Sequence, residues 1–367
     1  MADLKRKINI DDALNLADEL GNKKKYELAE KLYLKIINYD KFNIRATNNL
    51  ANIYKNQGKT DLAFKYYNNA LKIDPDNSNI FINIGSTYDF LMNNEEAVKF
   101  YKKALKKDSK NSHAYFNLHS HSKNINIAIK QLENCLNVNR HYERAIIMLS
   151  ALKKINGDEK LYSEIKIKYP HYNHYFTSYD WYFSLKNRPK LIFNRRDFFD
   201  KVINLSNKNN SFYEFGVFTG VSFNYINKHY DNGYGFDTFT GLPEDWGEEK
   251  KGAYSSENKM PKSKKGKFIK GEFKDTLPDF FSKSRPMASV INFDADLYSS
   301  TICALNNCMK VINRSTLLIF DEFIMNKNWQ DDEFRALTEF CIRNNFQYEV
   351  VAVSFSSKQV ALKIKNI

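Results

Sequence analysis

Residues Ser211–Ser222 read SFYEFGVFTGVS, and their reading decides how the C-terminal half folds. The first half is an apolar, aromatic run suited to a buried strand. The second half carries Gly216 and Gly220, and a helical pattern (Phe223, Tyr225, Ile226) follows at once. A strand that breaks into a glycine-spaced turn and then a helix presents backbone N–H groups at the helix start. It also lets a ligand approach where a side chain would block it. A nucleotide-like cofactor is expected here. The glycines are not spaced G-x-G-x-x-G and no G-x-x-x-x-G-K-[ST] occurs, so dinucleotide and P-loop sites are disfavoured.

Downstream of Ser211 the chain alternates strand and helix, the mark of a parallel sheet with helices on both faces. Strands are predicted at Tyr213–Val217, Gly233–Asp237, Phe268–Lys270, Ser289–Phe293 and Thr316–Phe320. Helices are expected around Tyr225–His229, from Thr276, over Tyr298–Ile312 and over Asp332–Asn345. Two final strands, Tyr348–Val353 and Gln359–Ile364, have only a Ser-rich turn between them and must pair antiparallel. Five βα units closed by a hairpin resemble the Rossmann-like, seven-stranded and mostly parallel sheet of class I methyltransferases.

In open α/β sheets the ligand sits beyond the C-terminal ends of the strands. The second strand ends in Asp237, where an acid can accept both hydroxyls of a ribose. The fourth ends in Asp294 and Asp296, and the fifth in Asp321 and Glu322. Carboxylates gathered in one crevice repel unless protonated, hydrogen-bonded or bridged by a cation. An all-oxygen donor set favours Mg²⁺ before Ca²⁺. The alternative is that one or two of them, Asp296 above all, cap the helices that follow.

Five segments taken together are similar to the TylF/macrocin O-methyltransferase family: EFGVFTGVS (214–222), GFDTFTGLPEDW (235–246), KGEFKDTLP (270–278), FDADLYSST (293–301) and LLIFDEF (317–323). The resemblance spans roughly residues 190–367. It implies S-adenosylmethionine as cofactor, a sugar or glycan hydroxyl as acceptor, and assistance by a divalent metal such as Mg²⁺. It places Glu214, Gly216, Gly220 and Ser222 around the methionine end of the cofactor and Asp237 on its ribose. It assigns metal ligation to Asp294, Asp321 and Glu322. The family commonly has Asp-Asp where this chain has Asp321–Glu322. With the methyl donor already activated, the protein must position the acceptor and take its proton, and Asp294 or Asp296 is the expected proton acceptor. His229 lies far from the strand ends, so a histidine base would require His171 or His174 to fold over. The long connection Thr238–Gly266 reads as a lid, with Trp246 and Tyr254 over the cofactor and Lys262, Lys264 and Lys265 facing an anionic saccharide.

The N-terminal half repeats itself. At an offset of 34, Leu50 meets Ile84, Ala51 meets Gly85, Tyr54 meets Tyr88, Ala63 meets Ala97, Tyr67 meets Tyr101 and Ala70 meets Ala104. These positions resemble the tetratricopeptide repeat over about residues 8–141, which implies an α-solenoid of stacked helix pairs. The solenoid reads as a docking module for a protein partner or a second copy of the chain. Asn49, Asn83 and Asn117 recur at one position. They either line a peptide-binding groove or reflect a residue common there. The expected domains are residues 8–155 for the repeats, 156–190 for an aromatic-rich connector (YPHYNHYFTSYDWYFSLKNRP) and 191–367 for the transferase. The connector is expected to pack between the domains or over the cofactor cleft.

Composition sets the frame. A chain of 367 residues, 43% hydrophobic and 15% aromatic, can bury two cores. No apolar run reaches membrane-spanning length, the N-terminus MADLKRKINIDDA lacks a leader core, and the four cysteines have no CxxC spacing. A cytoplasmic protein with free thiols is expected. The net charge of +13 is divided almost evenly between the halves. The lysine-rich stretch Lys259–Lys270 is either a solvated loop or a contact for an anion. Nucleic-acid methylation is disfavoured, since neither N-P-P-Y nor D-P-P-Y occurs. The alternative to an active transferase is a repeat scaffold carrying a catalytically silent transferase-like domain.

Overall fold

A computed structural model describes residues 9–367. The first eight residues, which hold most of the segment read for a leader and the first residue of the repeat match, lie outside the described residues. The chain forms two compact units, one through Ala114 and one from Tyr115.

The first unit stacks antiparallel helices: α1 (Ile10–Asn22), α2 (Tyr26–Tyr39), α3 (Ile44–Asn56), α4 (Thr60–Ile73), α5 (Ser78–Phe90) and α6 (Asn94–Lys107). The 34-residue period has a physical cause at each end of a repeat. Inside, the small residues Ala17, Ala29, Ala51, Ala63 and Ala97 are fully buried where helices touch, with Tyr33, Tyr67 and Tyr101 filling the adjoining gaps. A Cβ on Gly85 would lie 2.6 Å from the Tyr101 ring, so glycine is needed at that crossing. Between repeats, Asn43 and Asn77 cap α3 and α5 by accepting backbone N–H bonds, and their amides donate to Asp40 and Asp74 at 3.2 and 3.0 Å. Asp108 and Asn111 repeat the residue types, but the Asn111 amide donates to Ser78 and Asn79 instead, both at 3.1 Å.

The second unit opens with helices: α7 (Ser112–His119), which begins at the end of the first unit, α8 (Ile125–Val138), α9 (Glu143–Ile155), α10 (Glu159–Lys168), α11 (Asn173–Ser184) and α12 (Arg195–Leu205). The helices expected to close the repeat domain, up to residue 155, share a hydrophobic core with the sheet instead. So does the aromatic connector. The Tyr179 ring in α11 lies tilted at 4.7 Å from Phe355, Trp181 lies 5.5 Å from Phe323, and the Trp329 indole donates to Thr177 at 3.0 Å.

The sheet comprises β1 (Ser211–Phe215), β2 (Gly233–Asp237), β3 (Gly266–Lys270), β4 (Ala288–Phe293), β5 (Leu317–Phe320), β6 (Tyr348–Val353) and β7 (Val360–Ile364). Its order is β3-β2-β1-β4-β5-β7-β6, parallel except where β7 runs antiparallel to β5 and β6. The helices between strands are α13 (Val221–Asn227), α14 (Phe273–Ser282), α15 (Tyr298–Cys308) and α16 (Glu333–Arg343). The first strand ends two residues earlier than predicted, because Gly216 turns into the left-handed region (φ 89°) and takes Val217 out of the ladder.

Four strands end alike. Phe236, Phe215, Phe293 and Phe320 are register partners on β2, β1, β4 and β5, and their rings stack across the sheet at 5.0, 5.3 and 4.9 Å. Successive residues point to opposite faces. The residue after each phenylalanine is Asp237, Gly216, Asp294 or Asp321, so one recurring pair of residues sets an aromatic ladder on one face and a row of acids with a gap on the other. The ladder continues one residue past the strands: Gly216 N–H donates to Phe236 O, Asp294 N–H to Phe215 O and Asp321 N–H to Phe293 O, at 2.8–2.9 Å.

Candidate active site

Glu214 and Asn292 are register partners on β1 and β4, on the face that carries the acids. Both are fully buried. Asn292 Nδ2 donates to Glu214 Oε1 at 2.8 Å, while Glu214 Oε2 has no partner. Burial pushes the Glu214 carboxyl up to about 8, against the Asn292 bond and the Arg195 charge, which pull it down. An orphaned carboxyl oxygen beneath a glycine turn is a polar group placed to meet a ligand.

The turn above it is held by three left-handed residues, Gly216 (φ 89°), Phe218 (φ 51°) and Gly220 (φ 76°). A Cβ on Gly216 would overlap the Asp294 carbonyl, and one on Gly220 would lie 2.6 Å from the Pro261 ring. Asp237 braces this turn. Its Oδ2 accepts from the Val217 and Phe218 N–H groups at 2.7 and 2.8 Å, and its Oδ1 from Phe239 N–H at 2.6 Å. A carboxylate has about four acceptor positions. The backbone takes three, and Thr238 Oγ1 lies 3.5 Å from Oδ1. Ser222 is buried in the first turn of α13.

The acids beyond β4 and β5 are arranged differently from the expected metal site. Arg195, the first residue of α12, places Nη2 3.0 Å from Asp294 Oδ2 and 2.9 Å from Asp321 Oδ1. Gln359 Nε2 donates to the same Asp321 oxygen. Glu322 turns away and accepts from Lys358 Nζ at 2.8 Å. Among the described residues no three His, Cys, Asp or Glu side chains gather around one point. Asp294, Asp321 and Glu322 as arranged therefore do not fit a divalent ion: each already pairs one carboxylate oxygen with a protein cation, Arg195 or Lys358.

Two further carboxyls complete the cluster. Glu333, at the start of α16, is fully buried, with one oxygen accepting the Glu322 N–H at 3.2 Å and the other unpaired. Burial first, then Asp296 and Asp321, raise its pKa well above the ordinary range. Asp296 sits in a left-handed turn (φ 59°) rather than at a helix cap, and burial with Glu322 and Asp321 raises it likewise. Asp294 is also raised, by burial and by Asp321, with Arg195 opposing.

The connection from Thr238 to residue 265 is tied across the strand ends. Trp246 Nε1 donates to Asp332 Oδ2 at 3.1 Å, and Ser299 Oγ donates to Glu244. Tyr254 is exposed, Lys262 and Lys264 face solvent, and Lys265 pairs with Asp231 at 3.4 Å. His171 contacts Glu143 at 3.4 Å, and neither it, His174 nor His229 contacts the acid cluster. In the first unit, Asn49 donates to Asp18 at 2.8 Å and Asn83 to Asn48 at 2.9 Å, so both amides link successive repeats. Arg195, Asn292, Glu333, Lys358 and Gln359 escaped the sequence reading. Arg195 lies 99 residues from Asp294, and nothing local marks its destination.

Residues 44–77 and 78–111 match tetratricopeptide-repeat models, and residues 262–354 match the model for Macrocin-O-methyltransferase (TylF). The chain carries tetratricopeptide repeats followed by a methyltransferase-type domain. The transferase segment is of the TylF type, and the match begins after the glycine turn, a narrower span than the resemblance over residues 190–367. No curated protein matches the chain. Solved structures similar to parts of it include pilF of Pseudomonas aeruginosa (19% identical over 44% of this chain and 75% of that one, TM-score 0.39). The calicheamicin methyltransferase CalS11 is 17% identical over 46% and 76%, with a TM-score of 0.36. The O-methyltransferase NovP is 20% identical over 47% and 78%, with a TM-score of 0.36.

Proposed function

We propose that the second unit is an S-adenosylmethionine-dependent O-methyltransferase acting on a sugar or glycan hydroxyl, and that the repeats dock it to a protein partner or a second copy. The observation that carries this reading is the TylF match over residues 262–354, which spans the acids beyond β4 and β5. The unpaired Glu214 oxygen and the cramped Gly216 turn support the cofactor assignment. Glu214, Gly216, Gly220 and Ser222 would hold its amino-acid end, and Asp237 its ribose. The cofactor supplies a methyl group already activated as a sulfonium.

The protein has two tasks left. Asp296, whose side chain forms none of the ion pairs of its neighbours, takes the proton from the acceptor hydroxyl. Its raised pKa makes it a stronger base once ionised. The acceptor is held nearby. A cavity of about 200 Å³ is lined by Phe116, Arg144, Tyr172, Tyr179, Phe355 and Lys358, and Lys358 joins it to Glu322. Aromatic faces suit the C–H face of a sugar ring, and Arg144 and Lys358 suit an anionic substituent.

Titration calorimetry of the full chain with S-adenosylmethionine tests the cofactor assignment, and no binding at millimolar concentration would sink the enzyme reading. Asp296→Asn is expected to slow transfer by about 10²–10⁴-fold while leaving cofactor affinity unchanged. A repeat scaffold with a silent domain is the second reading. It draws on the engagement of Asp237 by the backbone, and the same titration decides against it if the cofactor binds.

A further inference from the structure

We propose that Arg195 is the resident cation of the carboxylate cluster, so that the second unit rejects a divalent metal at the place where Asp294 and Asp321 meet. Both acids give an oxygen to the same guanidinium nitrogen, at 3.0 and 2.9 Å. A hard ion bound to either oxygen at about 2.1 Å would lie against this partly buried positive charge. The third expected ligand, Glu322, is drawn off by Lys358, which is itself anchored on Asn326 at 2.8 Å.

The position of Arg195 in its helix argues for a placed charge rather than an accidental contact. It is the first residue of α12, where the helix dipole disfavours a cation. The cap at Asn194 fixes that end of the helix: its side chain accepts the Asp197 N–H and donates to the Asp197 carboxylate, both at 2.8 Å. Burial likewise works against the guanidinium charge, and Asp321 and Asp294 together more than offset it, holding Arg195 above its ordinary range. Its Nε finds no hydrogen-bond partner, and its guanidinium lies 5.5 Å from the centre of the Phe199 ring, so Nη2 and the two carboxylates carry its polar contacts in the cluster. Arg195 is thus a positioning residue. It keeps Asp294 and Asp321 side by side at the mouth of the cofactor cradle.

Metal rejection does not rest on the methyltransferase reading, since it is read from binding. The test titrates Mn²⁺ into the full-length protein and follows free Mn²⁺ by electron paramagnetic resonance. Wild type is expected to show no saturable binding. Arg195→Ala should bind Mn²⁺ more tightly by about tenfold or more, because the repelling charge is gone, and Arg195→Lys should restore rejection. Stoichiometric binding by wild type that disappears in Asp321→Asn would overturn the proposal, as would a folded Arg195→Ala with unchanged affinity. If Arg195→Ala does not fold, wild type and Asp321→Asn decide the matter. Failure to bind S-adenosylmethionine would defeat the transferase reading and leave metal rejection intact.

Discussion

Glu214 shows how one buried group couples the site to stability. Its carboxyl titrates near 8 in the folded protein against about 4.5 in the unfolded chain, so the fold holds a proton that the unfolded chain releases. This group's contribution is fully present below pH 4.5 and is lost as pH rises towards 8, at about 1.4 kcal/mol per pH unit. Glu214→Gln keeps an acceptor for Asn292 and has no proton to lose. Urea-unfolding midpoints at pH 5, 6.5 and 8 should therefore fall in wild type relative to the variant, and equal slopes would refute the assignment. Gly216→Ala is the harsher change. A methyl group has nowhere to go against the Asp294 carbonyl, and the left-handed backbone disfavours alanine. A loss of about 2 kcal/mol or more is expected, with loss of cofactor binding by calorimetry.

The repeat helices were legible because their crossings force a period on the sequence. Alanine at Ala51 and Ala63 and glycine at Gly85 are what close helix approach permits, and the tyrosines fill what remains. The caps are part of the same period, Asn43 and Asn77 standing 34 residues apart. Asn77 accepts from two backbone N–H groups and donates to Asp74, so Asn77→Ala should cost about 1 kcal/mol in the first unit. Chemical denaturation read on that unit's helical signal checks this. The connection after β2 has a comparable tether. Trp246→Phe removes the bond to Asp332, and limited proteolysis should then cut between Thr238 and residue 265 faster, with the rest of the chain equally resistant.

Across the chain, the sequence drew a boundary that packing does not follow. Composition made residues 156–190 a connector because they are aromatic and irregular in pattern. In the folded protein Tyr179, Trp181 and Thr177 meet Phe355, Phe323 and Trp329, partners more than 140 residues away. Met325 N–H donates to Ser178 Oγ at 2.8 Å, which ties α11 to the segment after β5. A fragment of residues 109–367 is expected to unfold cooperatively in a thermal scan. One of residues 191–367 would expose Phe323, Trp329 and Phe355 and should aggregate. A soluble, cooperative 191–367 fragment would contradict the shared core.

Local pattern was enough for the elements and for the row of acids. Strand alternation, the glycine turn and the 34-residue period each involve neighbours in sequence, and the pleat then sends Asp294 and Asp321 to one face. The state of those acids was not legible. Whether a carboxylate meets a metal, an arginine or a backbone amide depends on groups brought from elsewhere: Arg195 from α12, Gln359 from the β6–β7 turn, Glu333 from α16. Short-range spacing places a charge, and only the packed interior, where an unpaired charge is costly, decides what neutralises it.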